Sequence, residues 1–251
     1  MAVNKRQIRL MVVPPAAGGA VLACAVLLWI GSLFYPSARP VSLYYGRPLK
    51  GSVIVLDPGH GGIDSGSHYE ERILEKDIVL AVGLELRRLL NQAGATVIMT
   101  RERDEDTSKY IPGDPASRYQ RDMHGRLKVI NESGADLFLS LHLNSFSDPT
   151  VRGAIAFYSP GRPENKILAE TIQKQVNPLM ASDPKPGQTV HSSPKEGSYL
   201  LINEANIPGI ILEMGFMTSP IDREIFTEPC NQGKLAQAIF LGIVEYIYTK
   251  A

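Results

Sequence analysis

The sequence predicts a single α/β domain in which a central, mostly parallel or mixed sheet is flanked by helices on both faces. Apolar runs of strand length alternate with longer runs of helical periodicity through residues 51–251, as in α/β proteins. In addition, three of the strand-like runs end in a histidine or a glutamate, at 60, 142 and 213. Because ligands bind beyond the carboxyl ends of strands in such sheets, these residues predict a site there.

The first half of the domain supplies two predicted strands and one helix. Residues 52–56 are mostly apolar and lead into a glycine-rich turn, as a buried strand does. Residues 75–92 carry an apolar stripe at helical spacing, and Gly94 follows as a stop signal. Residues 96–100 form the second predicted strand. Residues 101–117 are charged and contain proline and glycine, which predicts a loop.

The middle of the chain continues the alternation. Residues 118–132 are predicted to be a helix that ends before a glycine, and residues 136–141 to be the third strand. Residues 153–158 form a fourth predicted strand near an edge of the sheet. Residues 164–180 have helical character, and Pro178 is expected to cut or kink that helix.

The C-terminal part begins with a long loop over residues 182–198, which are rich in proline, lysine and serine. Residues 199–203 are expected to form a short strand or a turn. Residues 210–213 form the last predicted strand, and residues 235–248 the terminal helix.

Composition excludes some classes of function. The chain has 251 residues, with 26 acidic and 26 basic side chains. It therefore has no excess of positive charge that would attract nucleic acid. Its two cysteines, Cys24 and Cys230, do not have the spacing of a zinc or redox motif, and we expect no disulfide between them.

The N-terminus has the pattern of a membrane-targeting segment. Lys5, Arg6 and Arg9 precede an uncharged stretch, and residues 16–35 are about as long as the 20 residues needed to cross a bilayer. Basic residues on the N-terminal side predict a cytoplasmic N-terminus and an exported remainder. We therefore expect a single-pass protein of the cell membrane with an extracytoplasmic domain.

Three interpretations of this segment compete. An uncleaved signal anchor is favoured over a cleaved signal peptide, because the apolar stretch is long and lacks a good cleavage site. A lipoprotein signal ending at Cys24 is the third, although the apolar run continues beyond it. The predicted organisation is an anchor or signal over 1–36, a linker over 37–50 and a catalytic domain over 51–251.

Four side chains have the chemistry of a zinc hydrolase, which needs three ligands and a general base. His60 lies between glycines that allow close approach of a ligand, and His142 follows an apolar run. Glu213 ends another apolar run, where a carboxylate is costly unless it is paired or functional. Glu75 fits a ligand and a helix-starting carboxylate equally well.

Three further residues are weaker candidates for supporting the site or binding substrate. Asn144 and Arg126 are two of them. Asp57 could orient His60, although stabilisation of the turn explains it nearly as well.

Several motifs carry a resemblance to a known family, the type-3 N-acetylmuramoyl-L-alanine amidases, which are zinc enzymes that cut peptidoglycan. The chain resembles them from about Gly51 to Lys250. The matching segments are LDPGHGG from Leu56, LEKD from Leu74, VIMTR from Val97, residues 126–131, SLHLN from Ser140 and LEMGF from Leu212.

The resemblance implies the chemistry of the site. It implies that His60, Glu75 and His142 hold Zn²⁺ and that Glu213 is catalytic. The implied reaction is hydrolysis of the amide between the lactyl group of N-acetylmuramic acid and L-alanine in peptidoglycan.

Within the family, the chain most resembles the germination-specific, sporulation-expressed branch of endospore formers. That branch removes peptide from spore cortex as a step towards muramic-δ-lactam, which a separate peptidoglycan deacetylase completes. The resemblance therefore implies functional pairing with such a deacetylase.

Two other functions remain open at this point. A zinc peptidase acting on the peptidoglycan stem peptide would use the same site chemistry. A non-catalytic wall-binding or scaffold protein would be favoured only if a ligand or Glu213 were missing.

Overall fold

A computed structural model describes residues 47–113 and 116–250 of the chain. The predicted membrane segment and most of the predicted linker lie outside the described residues. The strands are β1 (Val53–Pro58), β2 (His68–Tyr69), β3 (Ile73–Leu74), β4 (Thr96–Met99), β5 (Leu137–Asn144), β6 (Val151–Gly153), β7 (Ile155–Tyr158), β8 (Thr189–His191), β9 (Lys195–Glu196) and β10 (Gly209–Phe216). The helices are α1 (Glu75–Gln92), α2 (Arg118–Glu132), α3 (Pro163–Met180), α4 (Leu200–Glu204), α5 (Pro220–Thr227) and α6 (Pro229–Lys250).

A six-stranded mixed sheet forms the centre, in the order β4-β1-β5-β10-β7-β9. Strands β4, β1, β5 and β10 run parallel to one another, whereas β7 runs antiparallel to β10. The predicted α/β class with a mixed sheet is confirmed.

Helices cover both faces of this sheet. Alternate residues of a strand point to opposite faces, so Ile54 and Leu56 pack in a core with α1, α3 and α6. Val55 points the other way and packs with Ile130 of α2 and Leu201 of α4. The strands are therefore buried on both sides, which explains their continuous apolar sequence.

Two central strands are longer than predicted. β5 extends to Asn144 and β10 extends to Phe216, so His142 lies within its strand rather than after it, and Glu213 lies inside β10 rather than at its last residue. The residues at these strand ends include buried apolar side chains, namely Leu143 on β5 and Met214 and Phe216 on β10.

The predicted strand over residues 153–158 is two strands. β6 ends at Gly153, whose φ of 95° interrupts the extended backbone, and β7 begins at Ile155. β6 pairs with β8 and β7 pairs with β9, so the predicted loop over 182–198 contributes two short strands.

Two helices differ from the sequence expectation. Residues 199–203 are predicted to form a short strand or a turn, but Leu200–Glu204 form α4, whose Leu201 and Ile202 are buried. The segment before the terminal helix holds α5, which begins after Ser219 and has Pro220 in its first turn. Helix α3 continues through Pro178 to Met180.

A two-stranded hairpin, β2–β3, precedes α1 and has no clear signal in the sequence. Glu70 and Glu71 at its tip have φ values of 51° and 53°. Glutamate is not a residue that usually occupies this left-handed region. Within the described part of the chain, no helix has the length and apolar character of a membrane span.

Candidate metal centre

The sheet brings the candidate residues together at the carboxyl ends of its parallel strands. β1 and β5 are parallel, with Pro58 beside Leu141, so the residues that follow Pro58 lie next to His142. β10 flanks β5 on its other side, with Glu213 paired to His142. The loop after β1 turns sharply, and His60 has a φ of 60° between Gly59 and Gly61.

Three side chains converge at these strand ends. His60 Nε2 lies 3.0 Å from Glu75 Oε1, and His142 Nδ1 lies 3.0 Å from the same oxygen. The two imidazole nitrogens are 3.2 Å apart. One donor atom from each residue falls within 4.8 Å of the others. Two imidazoles and a carboxylate in this arrangement fit Zn²⁺ with a coordination position left for a further ligand.

Glu75 is the most buried of the three, with 1% of its surface exposed. It is the first residue of α1, where the helix dipole favours a negative charge. The backbone amides of Ser67 and Leu143 donate hydrogen bonds to its oxygens at 2.7 and 2.9 Å. Burial opposes the charged form, but hydrogen bonds and charge from the two histidines keep the pKa of Glu75 well below its usual range.

Asp64 orients His60, a role that the sequence pattern did not indicate. Its Oδ2 lies 2.8 Å from His60 Nδ1, so Nε2 of that ring is left for a metal. The signal that could have found it is the aspartate four residues after the histidine, in the same glycine-rich loop.

Glu213 lies beside this cluster on β10. Among the described residues its Oε2 is buried and has no hydrogen-bond partner. Burial raises the pKa of Glu213 to about 7, although the positive charge of His142 acts in the opposite direction. A buried carboxyl with a pKa near neutrality can both accept and donate a proton at physiological pH.

Arg126 is buried beneath the loop that carries His60. Its guanidinium donates to Asp57 Oδ1 at 2.7 Å, to the carbonyl of Pro58 at 2.9 Å and to the carbonyl of His60. Asp122, one turn earlier on α2, accepts from Arg126 Nε at 3.0 Å.

Asp57 contacts Arg126 and not the ring of His60. Its two oxygens also accept hydrogen bonds of 2.6 Å from the hydroxyls of Thr100 and Ser140. Burial opposes ionisation, but Arg126 and the two hydroxyls lower the pKa of Asp57 below its ordinary value. Asp57 and the carbonyl of His60 therefore share Arg126 as a hydrogen-bond donor.

Asn144 has local contacts. Its side-chain oxygen accepts from the amide of Ser145 at 2.8 Å, and its carbonyl accepts from the amide of Met217 at 2.7 Å. These contacts join the ends of β5 and β10.

A cavity of about 400 Å³ opens beside the cluster. His60, His142 and Glu213 line it together with residues of α2 and of the start of α4. The latter include Tyr119, Met123, His124, Tyr199 and Leu200. The cavity thus combines candidate metal ligands with partly apolar side chains, as ligand sites often do.

Gly59 allows His142 to reach the cluster. A Cβ at this position would collide with the imidazole of His142. We expect Gly59→Ala to displace this ring and to weaken Zn²⁺ affinity by about 10–100-fold, the usual effect of disturbing a ligand's surroundings. Competition with a chromogenic chelator measures this.

Gly161→Ala is the matched control, since its Cβ would meet only Ser159 Oγ at 3.7 Å. Equal Zn²⁺ affinity in the two variants would contradict the expected role of Gly59.

Comparison with known proteins gives a consistent picture. Residues 54–245 match the family model described as N-acetylmuramoyl-L-alanine amidase. The germination-specific N-acetylmuramoyl-L-alanine amidase of Bacillus subtilis is 36% identical over 214 residues, which cover 85% of this chain and 86% of the relative. A probable cell wall amidase LytH of Staphylococcus epidermidis is 29% identical over 87% of this chain, which spans 65% of that relative's length.

Solved structures show the same fold. The CwlD amidase from Clostridioides difficile, in complex with the GerS lipoprotein, is 33% identical with a TM-score of 0.68, and the match covers 79% of this chain and 99% of that one. The N-acetylmuramoyl-L-alanine amidase AmiC2 of Nostoc punctiforme is 26% identical with a TM-score of 0.64, covering 78% and 97%.

Proposed function

Because the chain belongs to the N-acetylmuramoyl-L-alanine amidase family, we propose that it hydrolyses the amide bond between the lactyl group of N-acetylmuramic acid and L-alanine in peptidoglycan. In this proposal His60, Glu75 and His142 hold Zn²⁺, and Glu213 is the catalytic acid and base. The observation that carries the proposal is the convergence of three metal-type donors beside Glu213, whose buried Oε2 has no hydrogen-bond partner in the described part of the chain.

When bound, Zn²⁺ supplies Lewis acidity that activates water and polarises a carbonyl group. The ionised Glu213 accepts a proton from water as the water oxygen bonds to the carbonyl carbon. The protonated Glu213 then gives that proton to the nitrogen of L-alanine as the carbon–nitrogen bond breaks. The products are a lactyl carboxylate on the sugar and a stem peptide with a free amine.

The other polar residues keep the donors in place. Asp64 fixes which nitrogen of His60 faces the metal, because it bonds to the other one. Arg126 ties the carbonyls of Pro58 and His60 to helix α2, which limits movement of the loop.

The biological role that we propose is removal of peptide from spore cortex peptidoglycan, as a step towards muramic-δ-lactam. Similarity to the germination-specific enzyme of Bacillus subtilis supports it. A peptidoglycan deacetylase would then act on the product. The relative solved with a lipoprotein makes a lipoprotein an additional class of partner to test.

We also propose that the catalytic domain over residues 51–251 works outside the cytoplasm, tethered by residues 1–36 through a linker over 37–50. The uncharged stretch after basic residues supports this arrangement.

Digestion of purified peptidoglycan by the full chain in mild detergent, followed by mass spectrometry, tests the reaction. We expect peptide-free glycan and intact stem peptides, lost on chelation and restored by Zn²⁺. Shortened peptides still attached to glycan would instead establish a peptidase. Comparing cortex with vegetative peptidoglycan tests the spore role separately.

Zn²⁺ binding is expected to depend on pH, because the metal and a proton compete for His60. Burial lowers the pKa of His60, but hydrogen bonds and charge from Glu75 and Asp64 outweigh it and raise the pKa to about 9. Zn²⁺ must displace this proton, so its apparent affinity should rise about tenfold per pH unit below about pH 9.

Chelator-buffered titrations between pH 6.5 and pH 8.5 measure this slope. His68→Gln changes an exposed histidine of the hairpin and should leave the slope unaltered. A Zn²⁺ affinity that is independent of pH in the parent protein would show that His60 carries no displaceable proton.

A further inference from the structure

Tyr199 lines the cavity beside the candidate metal centre. It precedes α4 and lines the same cavity as His142 and Glu213, with 41% of its surface exposed. Sequence reasoning assigned it no role, and it belongs to neither the ligand set nor the network around Arg126.

The ring of Tyr199 is held in one position. It packs edge-on against Phe157, with ring centroids 5.3 Å apart and an interplanar angle of 63°. Gly197 leaves room for it, since a Cβ there would meet ring atoms of Tyr199 at 2.8 and 3.0 Å. Phe157 is paired with Ile211 on β10, so the ring is anchored to the strand that carries Glu213.

The surroundings of the hydroxyl make it a donor. Burial and the nearby negative charge of Glu213 both raise the pKa of Tyr199 above its ordinary value. The phenol therefore stays protonated at neutral pH. The hydroxyl does not bond Glu213 Oε2, since this oxygen has no hydrogen-bond partner among the described residues.

We propose that the Tyr199 hydroxyl donates a hydrogen bond to the carbonyl oxygen of the amide that is cleaved. This inference rests on the proposed amidase function. When the water oxygen bonds to the carbonyl carbon, the π electron pair moves onto the carbonyl oxygen, and Glu213 takes the proton from water. A fixed neutral donor stabilises the negative charge that develops on this oxygen.

In this proposal the two side chains have different tasks. Glu213 serves the attacking water and the leaving nitrogen, whereas Tyr199 serves the oxygen that remains on the carbon. A donor held by packing requires little reorganisation during the reaction, which is the condition for a large electrostatic contribution.

Tyr199→Phe is the decisive variant, because it keeps the ring and its contact with Phe157. We expect kcat on purified peptidoglycan to fall about 10²–10³-fold, with KM and bound Zn²⁺ close to those of the parent protein. Tyr248→Phe is the matched control, since Tyr248 lies on the terminal helix α6, outside the cavity lining, and is 60% exposed. It should leave kcat unaltered.

Gly197→Ala is a second variant, which keeps the hydroxyl and displaces the ring. It should also lower kcat. The double variant with Tyr199→Phe and Gly197→Ala should have a kcat only slightly below that of Tyr199→Phe alone. Circular dichroism of each variant checks that the fold is retained.

Two results would overturn the inference. Parental kcat in Tyr199→Phe would remove the hydroxyl from the reaction, and a rise in KM alone would make Tyr199 a ground-state contact. Failure of the proposed function is separate, since the parent protein would then release no intact stem peptides.

Discussion

Glu213→Gln is expected to retain Zn²⁺ and to lower turnover of peptidoglycan by about 10²–10⁴-fold, the usual contribution of a general acid–base group. Glutamine has nearly the same shape as glutamate but cannot accept a proton from water. Metal content by mass spectrometry and release of stem peptides by chromatography measure the two quantities on the same sample.

Glu204→Gln, at the exposed end of α4, is the matched control and should have parental activity. The parent protein should also lose activity as the pH falls through about 7, because protonated Glu213 is no longer a base. A cation bound beside Glu213 would shift this loss of activity to lower pH, since it favours the carboxylate form. Parental turnover in Glu213→Gln would exclude the assigned role.

Arg126→Met is expected to destabilise the domain by about 3–5 kcal/mol, the range for removing one partner of a buried ion pair. Asp57 and Asp122 would remain buried without their cation, and the carbonyls of Pro58 and His60 would lose a donor. The midpoint of urea unfolding, followed by circular dichroism, measures the loss.

Lys128→Met makes a similar change at an exposed position on the same helix, and little change in the midpoint is expected. Arg126→Lys keeps the charge but loses the multiple donors of the guanidinium, so an intermediate loss is expected. If Arg126→Met unfolds at the parental urea concentration, the network does not stabilise the loop.

The strands and long helices were predictable because their apolar periodicity is strong. The position of the site at the carboxyl ends of the strands follows from the parallel arrangement of β1, β5 and β10. Local sequence left Glu75 ambiguous, since a carboxylate that starts a helix is common in either case. The structure adds the shared contact of Glu75 with His60 and His142.

Other features depend on contacts that a local pattern does not contain. α4 is too short for a recognisable helical period, and burial of Leu201 and Ile202 against the sheet determines it. The contacts of Asp57 connect residues 43 and 69 positions apart. α5 did have a local signal, because Ser219 and Pro220 are favoured at the start of a helix.

If the three donors hold Zn²⁺ as proposed, their distribution along the chain makes the stability of the protein depend on the metal supply. His142 is 82 positions from His60 and 67 positions from Glu75, so an unfolded chain holds no comparable cluster. A cation that binds only the folded form adds about 2.7 kcal/mol of stability at a hundredfold excess over its Kd. Zn²⁺ availability would therefore determine how long the protein resists unfolding and proteolysis, independently of how fast it cuts its substrate.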